Sequence, residues 1–137
     1  MNRLLALPLL LLLVGCPHPE DDPGRMFQLF LLQVQEGKTD AAWGLLAEKT
    51  RTELTEIVRR RSEASGGAIP NDPKQVIFGS AELAKPVEKV DVSKQEGDRA
   101  TLLVTHVGGD TQEITMIREA GGWKLLIPLP PGLASPQ

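Results

Sequence analysis

The spacing of apolar residues changes once along this 137-residue chain, near Gly79. Before that point apolar residues recur every three or four positions, as they do on one face of a helix. After it they alternate with polar residues, as they do in a strand with one buried face. The change divides the chain into a helical half and a strand half, and it predicts an α+β fold with N-terminal helices packed on a sheet.

The helical half predicts three helices and one helical turn. The first helix begins at Arg25, and its buried face is formed by Met26, Phe27, Phe30, Leu31 and Val34, widened by Leu29 and Leu32. After the corner 37–40, the residues expected to face inward around Trp43 are Ala41, Ala42, Leu45 and Leu46. The third helix is expected to open at Thr50, because Thr50 and Glu53 stand at capping-box spacing. Asp72 and Pro73 open the helical turn, whose inward residues are Val76, Ile77 and Phe78.

The third helix carries the basic triplet Arg59-Arg60-Arg61, which has two interpretations. Three like charges in a row suit a contact with anionic lipid headgroups or a partner. The spacing also places Glu56 within reach of Arg59 and Arg60, and Arg59 within reach of Glu63. We favour a solvated face with internal ion pairs.

Four strands are predicted between residues 86 and 128. Glycine-containing turns separate the alternating runs, at Glu96-Gly97-Asp98, Gly108-Gly109-Asp110 and Gly121-Gly122. Short turns of this kind join antiparallel neighbours, so the strands form an antiparallel meander. The second strand is apolar on both faces, and we expect it in the interior of the sheet.

The N-terminal segment has the parts of an export signal: a basic end at Arg3, an apolar run and a small residue. The run is shorter than the roughly 20 residues that a spanning helix needs. Its last four residues, Leu13-Val14-Gly15-Cys16, resemble the lipobox of bacterial lipoproteins. The resemblance implies cleavage between Gly15 and Cys16, lipidation of the Cys16 thiol and attachment to the cell envelope. An ordinary signal peptide with a stray cysteine is the alternative.

The lipobox divides the chain into a signal peptide (1–15), a lipidated cysteine with a proline-rich tether (16–24), one α+β domain (25–128) and a proline-rich tail (129–137). An extended tether of that length would hold the domain some 25 Å from the lipid. Pro17 is not the aspartate that retains lipoproteins at the inner membrane of some bacteria, which favours the outer membrane.

Composition limits the chemistry that the domain can perform. Removing Arg3 from the 15 basic residues leaves 14 against 18 acidic ones, and an acidic domain is a poor partner for nucleic acid. Cys16 is the only cysteine, and a zinc site needs three or four ligands. A metal at His18 and its acidic neighbours would have no fixed geometry. We therefore expect no metal and no cofactor.

Helices followed by an antiparallel meander resemble the nuclear transport factor 2-like fold, also called cystatin-like. Two local patterns add to the resemblance: the helix corner Gly37-Lys38-Thr39-Asp40-Ala41-Ala42-Trp43-Gly44-Leu45-Leu46, and the hairpin Gly121-Gly122-Trp123-Lys124-Leu125. The resemblance implies a curved four-stranded sheet around a helix, often with a pocket that is catalytic in some members and a binding or dimer surface in others. Its isomerase-like and dehydratase-like members use tyrosine, which this chain lacks, so no catalytic residue is carried over.

His106 is the remaining candidate catalytic residue. It shares strand parity with Leu102 and Val104, so its imidazole is expected on the inner face of the sheet, where it can meet a ligand or act as a base. The alternative is a strand-end histidine with local hydrogen bonds. We hypothesise a non-catalytic domain that binds a small apolar ligand or an envelope protein. An isomerase- or hydrolase-type enzyme using His106 with a nearby acid, and a structural module that forms a homodimer, are the two alternatives.

Overall fold

A computed structural model describes residues 15, 18, 21–79 and 85–129. Four helices precede four strands: α1 Pro23–Gln35, α2 Thr39–Gly44, α3 Glu48–Ala64, α4 Pro73–Phe78, β1 Val87–Glu96, β2 Arg99–His106, β3 Thr111–Glu119 and β4 Gly122–Leu126. The strands form one antiparallel sheet in the order β1-β2-β3-β4. The α+β class, the order of elements, the meander and the interior position of β2 are confirmed. Within the ranges given above, no helix is both long enough and apolar enough to cross a membrane.

Helix α1 begins at Pro23, two residues before the predicted Arg25. The Asp22 carboxylate caps it by accepting hydrogen bonds from the backbone N–H groups of Gly24, at 2.9 Å, and Arg25, at 3.3 Å. Proline suits the first helical position, since its missing N–H would have no intrahelical partner there. Residues 21–24 therefore belong to the folded unit, and the predicted tether is shorter by four residues.

Helix α3 begins at Glu48, so the predicted capping box at Thr50 and Glu53 is wrong. Ala47 precedes the helix and offers no side-chain cap, while its N–H donates to the Leu125 carbonyl at 2.8 Å. The Thr50 hydroxyl is fully buried and accepts a hydrogen bond from the backbone N–H of Ile127 at 3.1 Å. This side chain therefore joins α3 to the residues after β4 instead of capping its own helix.

The core lies between the helices and the inner face of the sheet. Pairing places Ala100 opposite Met116, and Met116 opposite Leu125, so these three residues form one row across the inner face. The largest fully buried apolar side chains are Trp123, Phe30, Leu46, Leu102, Met116, Val58 and Val104. The predicted inward positions of Met26, Phe27, Leu54, Ile57 and Ala42 are confirmed.

Four residues predicted to be buried lie on the surface instead. In the short helix α2 the inner position is taken by Ala42, and Ala41 is exposed. In α4 Val76 is exposed while Ile77 and Phe78 are half-buried. Leu29 and Leu32 of α1 are also exposed, because the sheet and α2 cover only one side of that helix.

The two edge strands of the sheet differ in what protects their outer edges. The β4 edge is covered by the α2–α3 connection, since Ala47 donates to the Leu125 carbonyl and the Leu125 N–H donates to the Leu45 carbonyl at 2.9 Å. The β1 edge carries two register shifts, one after Val87 and one after Val92. It also carries exposed ion pairs, Lys89 with Asp91 and Lys94 with Glu96. Bulges and charges of this kind discourage pairing with another strand.

The predicted ion pairs of α3 are confirmed. Arg59 lies 2.7 Å from both Glu56 and Glu63, and Arg60 lies 3.4 Å from Glu56. The hydrogen bond from Arg59, with the charges of both arginines, holds the pKa of Glu56 below its ordinary value. Because these groups are exposed, the network contributes little to stability, and the basic triplet is interpreted as a solvated face.

Candidate functional site

A pocket of about 340 Å³ opens between the helices and the sheet, beside the end of β2. Twelve of its seventeen lining residues are apolar: Phe27, Leu31, Leu54, Ile77, Val87, Val104, Ile114, Leu125, Leu126, Ile127, Pro128 and Leu129. The polar ones are Lys85, His106, Gln112, Glu113 and Thr115. Apolar walls with a few polar groups are typical of small-molecule sites, and the volume lies near the lower end of their usual range.

The pocket exists because β4 is shorter than its neighbours. Pairing between β3 and β4 ends at Thr115 and Leu126, whereas pairing between β2 and β3 continues to Thr105 and Thr111. Beyond Leu126 the chain leaves the sheet, and the hydrogen bond from Ile127 to Thr50 fixes its new direction. The edge of β3 next to the departing chain forms part of the pocket lining.

The residues on the inner face of the sheet are almost completely buried at one end and partly exposed at the other. We call the end that holds Ala100, Met116 and Trp123 the closed end, since these residues are almost completely buried. We call the end that holds His106 and Gln112 the open end, since His106 is half-buried and Gln112 is exposed. The pocket lies at the open end.

His106 lines this pocket together with Val104, so its predicted place on the inner face is confirmed. Its backbone N–H donates to the Asp110 carbonyl at 2.8 Å, and its carbonyl accepts from Gly109 N–H at 3.0 Å, which fixes it at the β2–β3 turn. The ring Nε2 lies 3.4 Å from Gln112 Oε1. Among the described residues, the enclosed ring Nδ1 has no hydrogen-bond partner.

Glu113 belongs to the pocket lining, but it pairs with Leu103 and alternates with Gln112 and Ile114, so its exposed side chain lies on the opposite face of the sheet from His106. The hydrogen-bonding partner of the imidazole is the amide of Gln112, not this carboxylate. A general base is normally oriented by an acceptor that stabilises its charged form, as a carboxylate does. Over the described ranges, no group of three or more His, Cys, Asp or Glu side chains is placed to hold a metal ion.

The predicted anchor residues are described only in part. Gly15 is exposed, and Cys16 lies outside the described residues, as do the signal peptide up to residue 14 and the tail from residue 130. His18 is exposed, and its carbonyl accepts a hydrogen bond from Asp21 N–H at 2.9 Å. Cleavage and lipidation at Cys16 stay predictions.

Sequence reasoning missed three contributors to the pocket: Gln112, Thr50 and the segment 127–129. One signal was present, because Pro128 cannot donate to a sheet ladder and so marks where β4 must end. The contact between Thr50 and Ile127 joins residues 77 positions apart and has no local signature.

Comparisons with models of protein families, with curated proteins and with solved structures gave no match in any of the three. The α+β class therefore rests on the structure itself. Function has to be argued from the pocket and from the N-terminal motif, since a fold class alone does not define an activity.

Proposed function

We propose that this protein is a bacterial envelope lipoprotein, anchored through lipid on Cys16, whose folded unit binds a small apolar ligand without catalysis. The observation that carries the ligand-binding function is the pocket at the open end, with twelve apolar residues among the seventeen that line it. A ligand that fills such a pocket gains free energy by removing its own apolar surface, and that of the walls, from water. His106 and Gln112 are the polar groups available to orient it.

The order of elements supports a more specific proposal, that the unit is of the nuclear transport factor 2-like type. Four helices precede a four-stranded meander, and the pocket lies between the helices and the sheet. In that family type, the corresponding pocket is catalytic in some members and a binding or dimer surface in others, so the fold is compatible with the proposed binding function.

The anchor is tested with Cys16→Ala in a bacterium that exports the full chain. We expect the variant to leave the membrane fraction and to remain uncleaved at this position, because the modified residue is missing. His18→Ala, two positions further along, is the matched control and should behave as the unmodified chain. Mass spectrometry of the N-terminal peptide should show the diacylglyceryl group only on chains with Cys16. A Cys16→Ala protein that stays membrane-bound and is processed as before would contradict the lipoprotein proposal.

The pocket is tested by titration with N-phenyl-1-naphthylamine, a neutral apolar dye whose fluorescence rises out of water. Ile114→Trp places a larger side chain in the pocket lining and should weaken dye binding at least tenfold. Ile117→Trp is the matched control, because Ile117 is a half-buried residue of the same strand on the opposite face, outside the pocket lining. Equal loss in both variants, or no binding to the unmodified protein, would refute binding in this pocket.

His106 distinguishes binding from the enzyme alternative, which is favoured only by the presence of His106 in the pocket lining. For a binding protein, His106→Ala should leave the dye affinity within about twofold, because the walls that hold the dye are apolar. Turnover of a bound ester or ketone that His106→Ala abolishes, with affinity retained, would instead establish an enzyme. Mass spectrometry of the incubated ligand detects the product.

A further inference from the structure

Between Arg25 and Glu36, helix α1 presents to solvent a surface that carries no charge. The ten residues from Met26 to Gln35 include no acidic or basic side chain. Two leucines on the outer side are unusually accessible, Leu29 at 37% and Leu32 at 46%. The outer face of a helix in a water-soluble domain normally carries charged residues. We call the exposed residues Gln28, Leu29, Leu32 and Gln35 the α1 face.

Helix α1 lies beside the edge strand β1. A shallow groove between the two elements is lined by Leu32 and Gln35 on the helix and by residues 87–90 on the strand, where Val87 and Val90 are half-buried and the charged Glu88 and Lys89 are exposed. At the other end of the helix, the position of a β-carbon on Gly24 is 3.8 Å from Val92, which is itself 45% exposed. The helix therefore runs beside the edge strand in the opposite direction, and exposed apolar residues lie on both.

The N-terminus of α1 is held close to the predicted lipid anchor. Trp123 donates from Nε1 to the Asp21 carbonyl at 3.1 Å, which fixes the residue before the helix cap to the core. Asp21 in turn donates from its N–H to the His18 carbonyl. Two residue steps separate His18 from Cys16, and a step spans at most 3.8 Å, so the anchor lies within about 8 Å of His18. The expected spacer of some 25 Å is thus reduced to a short link.

We propose that the α1 face lies on the lipid bilayer that holds Cys16. This inference rests on the lipoprotein proposal. At 1.5 Å per residue, Leu29 and Leu32 lie about 9 and 14 Å along the axis from Pro23, so both are within reach of the surface to which the N-terminus is tied. An uncharged face with exposed leucines enters the interfacial region without removing an ion from water.

The lipid anchor is what makes so small a face sufficient. Two partly exposed leucines would not hold a free domain on a membrane, since a whole buried leucine side chain contributes only about 1.5–3 kcal/mol. Attachment through a short link raises the effective concentration of the face at the surface, which converts weak docking into a stable orientation. The charged residues that border the face are two basic and two acidic, Arg25, Lys89, Glu36 and Glu88, so they balance. Docking of the face should therefore be insensitive to salt, unlike that of a basic patch.

The test couples Cys16, the only cysteine, to a maleimide phospholipid in phosphatidylcholine vesicles. A benzophenone amino acid is placed at position 29 or 32 and irradiated, and lipid adducts are measured by mass spectrometry. Ile69, 39% exposed, and Val107, 66% exposed, are matched control positions. We expect at least fivefold more lipid adduct at 29 and 32 than at 69 and 107, in low and in high salt alike.

A second variant keeps the proposal falsifiable if the probe itself disturbs the surface. Leu32→Glu, at an exposed position, should leave the fold intact and should reduce the lipid adduct formed at position 29 at least threefold. Equal adduct yields at all four positions would overturn the inference, as would adducts to a second copy of the chain. Because the lipid is attached chemically, these outcomes do not depend on lipidation in the cell, and a failure of the lipoprotein proposal would appear only with Cys16→Ala.

Discussion

The closed and open ends of the interior are built on the same two strands, β2 and β3, but they differ in what faces those strands. At the closed end β4 pairs with β3, and Trp123 fills the space below the sheet. At the open end β4 has already stopped, and the space is a pocket bordered by His106 and Gln112. The comparison teaches that the length of one short strand determines where this interior is filled and where it is open.

The largest expected effect is at the closed end. Trp123→Ala should lower the free energy of unfolding by about 3–5 kcal/mol, because it removes a fully buried aromatic side chain and leaves a cavity. The hydrogen bond to Asp21 is lost with it. Trp43→Ala, at the half-buried second tryptophan, should cost less than half as much. Urea unfolding followed by circular dichroism measures both, and equal losses would show that Trp123 is not a principal residue of the packed core.

Leu102 and Ile114 sharpen the comparison because they are paired across β2 and β3. Leu102 is fully buried, whereas Ile114 is half-buried and lines the pocket. Leu102→Ala should destabilise by about 2–5 kcal/mol. Ile114→Ala should cost clearly less, since the isoleucine already borders open space. If thermal unfolding showed the reverse order, the open end would be a packed part of the core.

Thr50 supports the open end, because it holds Ile127 where the chain leaves the sheet. Thr50→Val keeps the shape but leaves the Ile127 N–H without its acceptor, which should cost about 1–3 kcal/mol. Dye binding in the pocket should weaken as well, since residues 127–129 form part of its wall. Thr52→Val, at an exposed position of the same helix, should change neither quantity. Loss of stability without any change in dye binding would show that Thr50 does not help to form the pocket.

The smallest expected effect is at Glu56, which belongs to neither end. The hydrogen bond from Arg59 lowers its pKa in the folded state, so the folded protein keeps this carboxylate charged to lower pH than the unfolded chain does. The resulting stabilisation is present above the ordinary value of 4.5 and is lost as pH falls below it. Glu56→Gln should therefore lower Tm slightly at neutral pH and not at low pH. A drop in Tm that persisted at acidic pH would show that the charge is not the cause.

Most of the fold could be predicted from the sequence because its signals are local. The change of period near Gly79, the proline after Asp72 and the glycine turns each act within a few residues, and all eight elements were predicted to exist. The start of α3 could not be predicted, because the local pattern at Thr50 and Glu53 competes with a long-range one. The N–H of Ala47 pairs with Leu125, and the Thr50 hydroxyl with Ile127, and no local spacing indicates either contact.

Only one residue of the candidate site, His106, could be predicted from the sequence. Strand parity placed His106 on the inner face, which is correct, since parity is a property of the backbone. The pocket depends on which strands end early and on how the chain leaves the sheet, and these are properties of the whole assembly. The exposure of Leu29 and Leu32 was missed for a similar reason. Their spacing suits a wide buried face, but the sheet covers only part of the helix.

The unequal edges of the sheet also limit how copies of this protein can polymerise. Growth of a strand-paired filament needs two open edges on every copy, because each copy must pair with one neighbour on either side. Over the described residues, the β4 edge is already occupied at Leu125 by the Leu45–Ala47 backbone, which leaves β1 as the full-length edge at which strands could be added. Two copies joined β1 to β1 would form an eight-stranded sheet whose outer edges are both capped. The cover on the β4 edge therefore removes one of the two edges that a strand-paired filament would need.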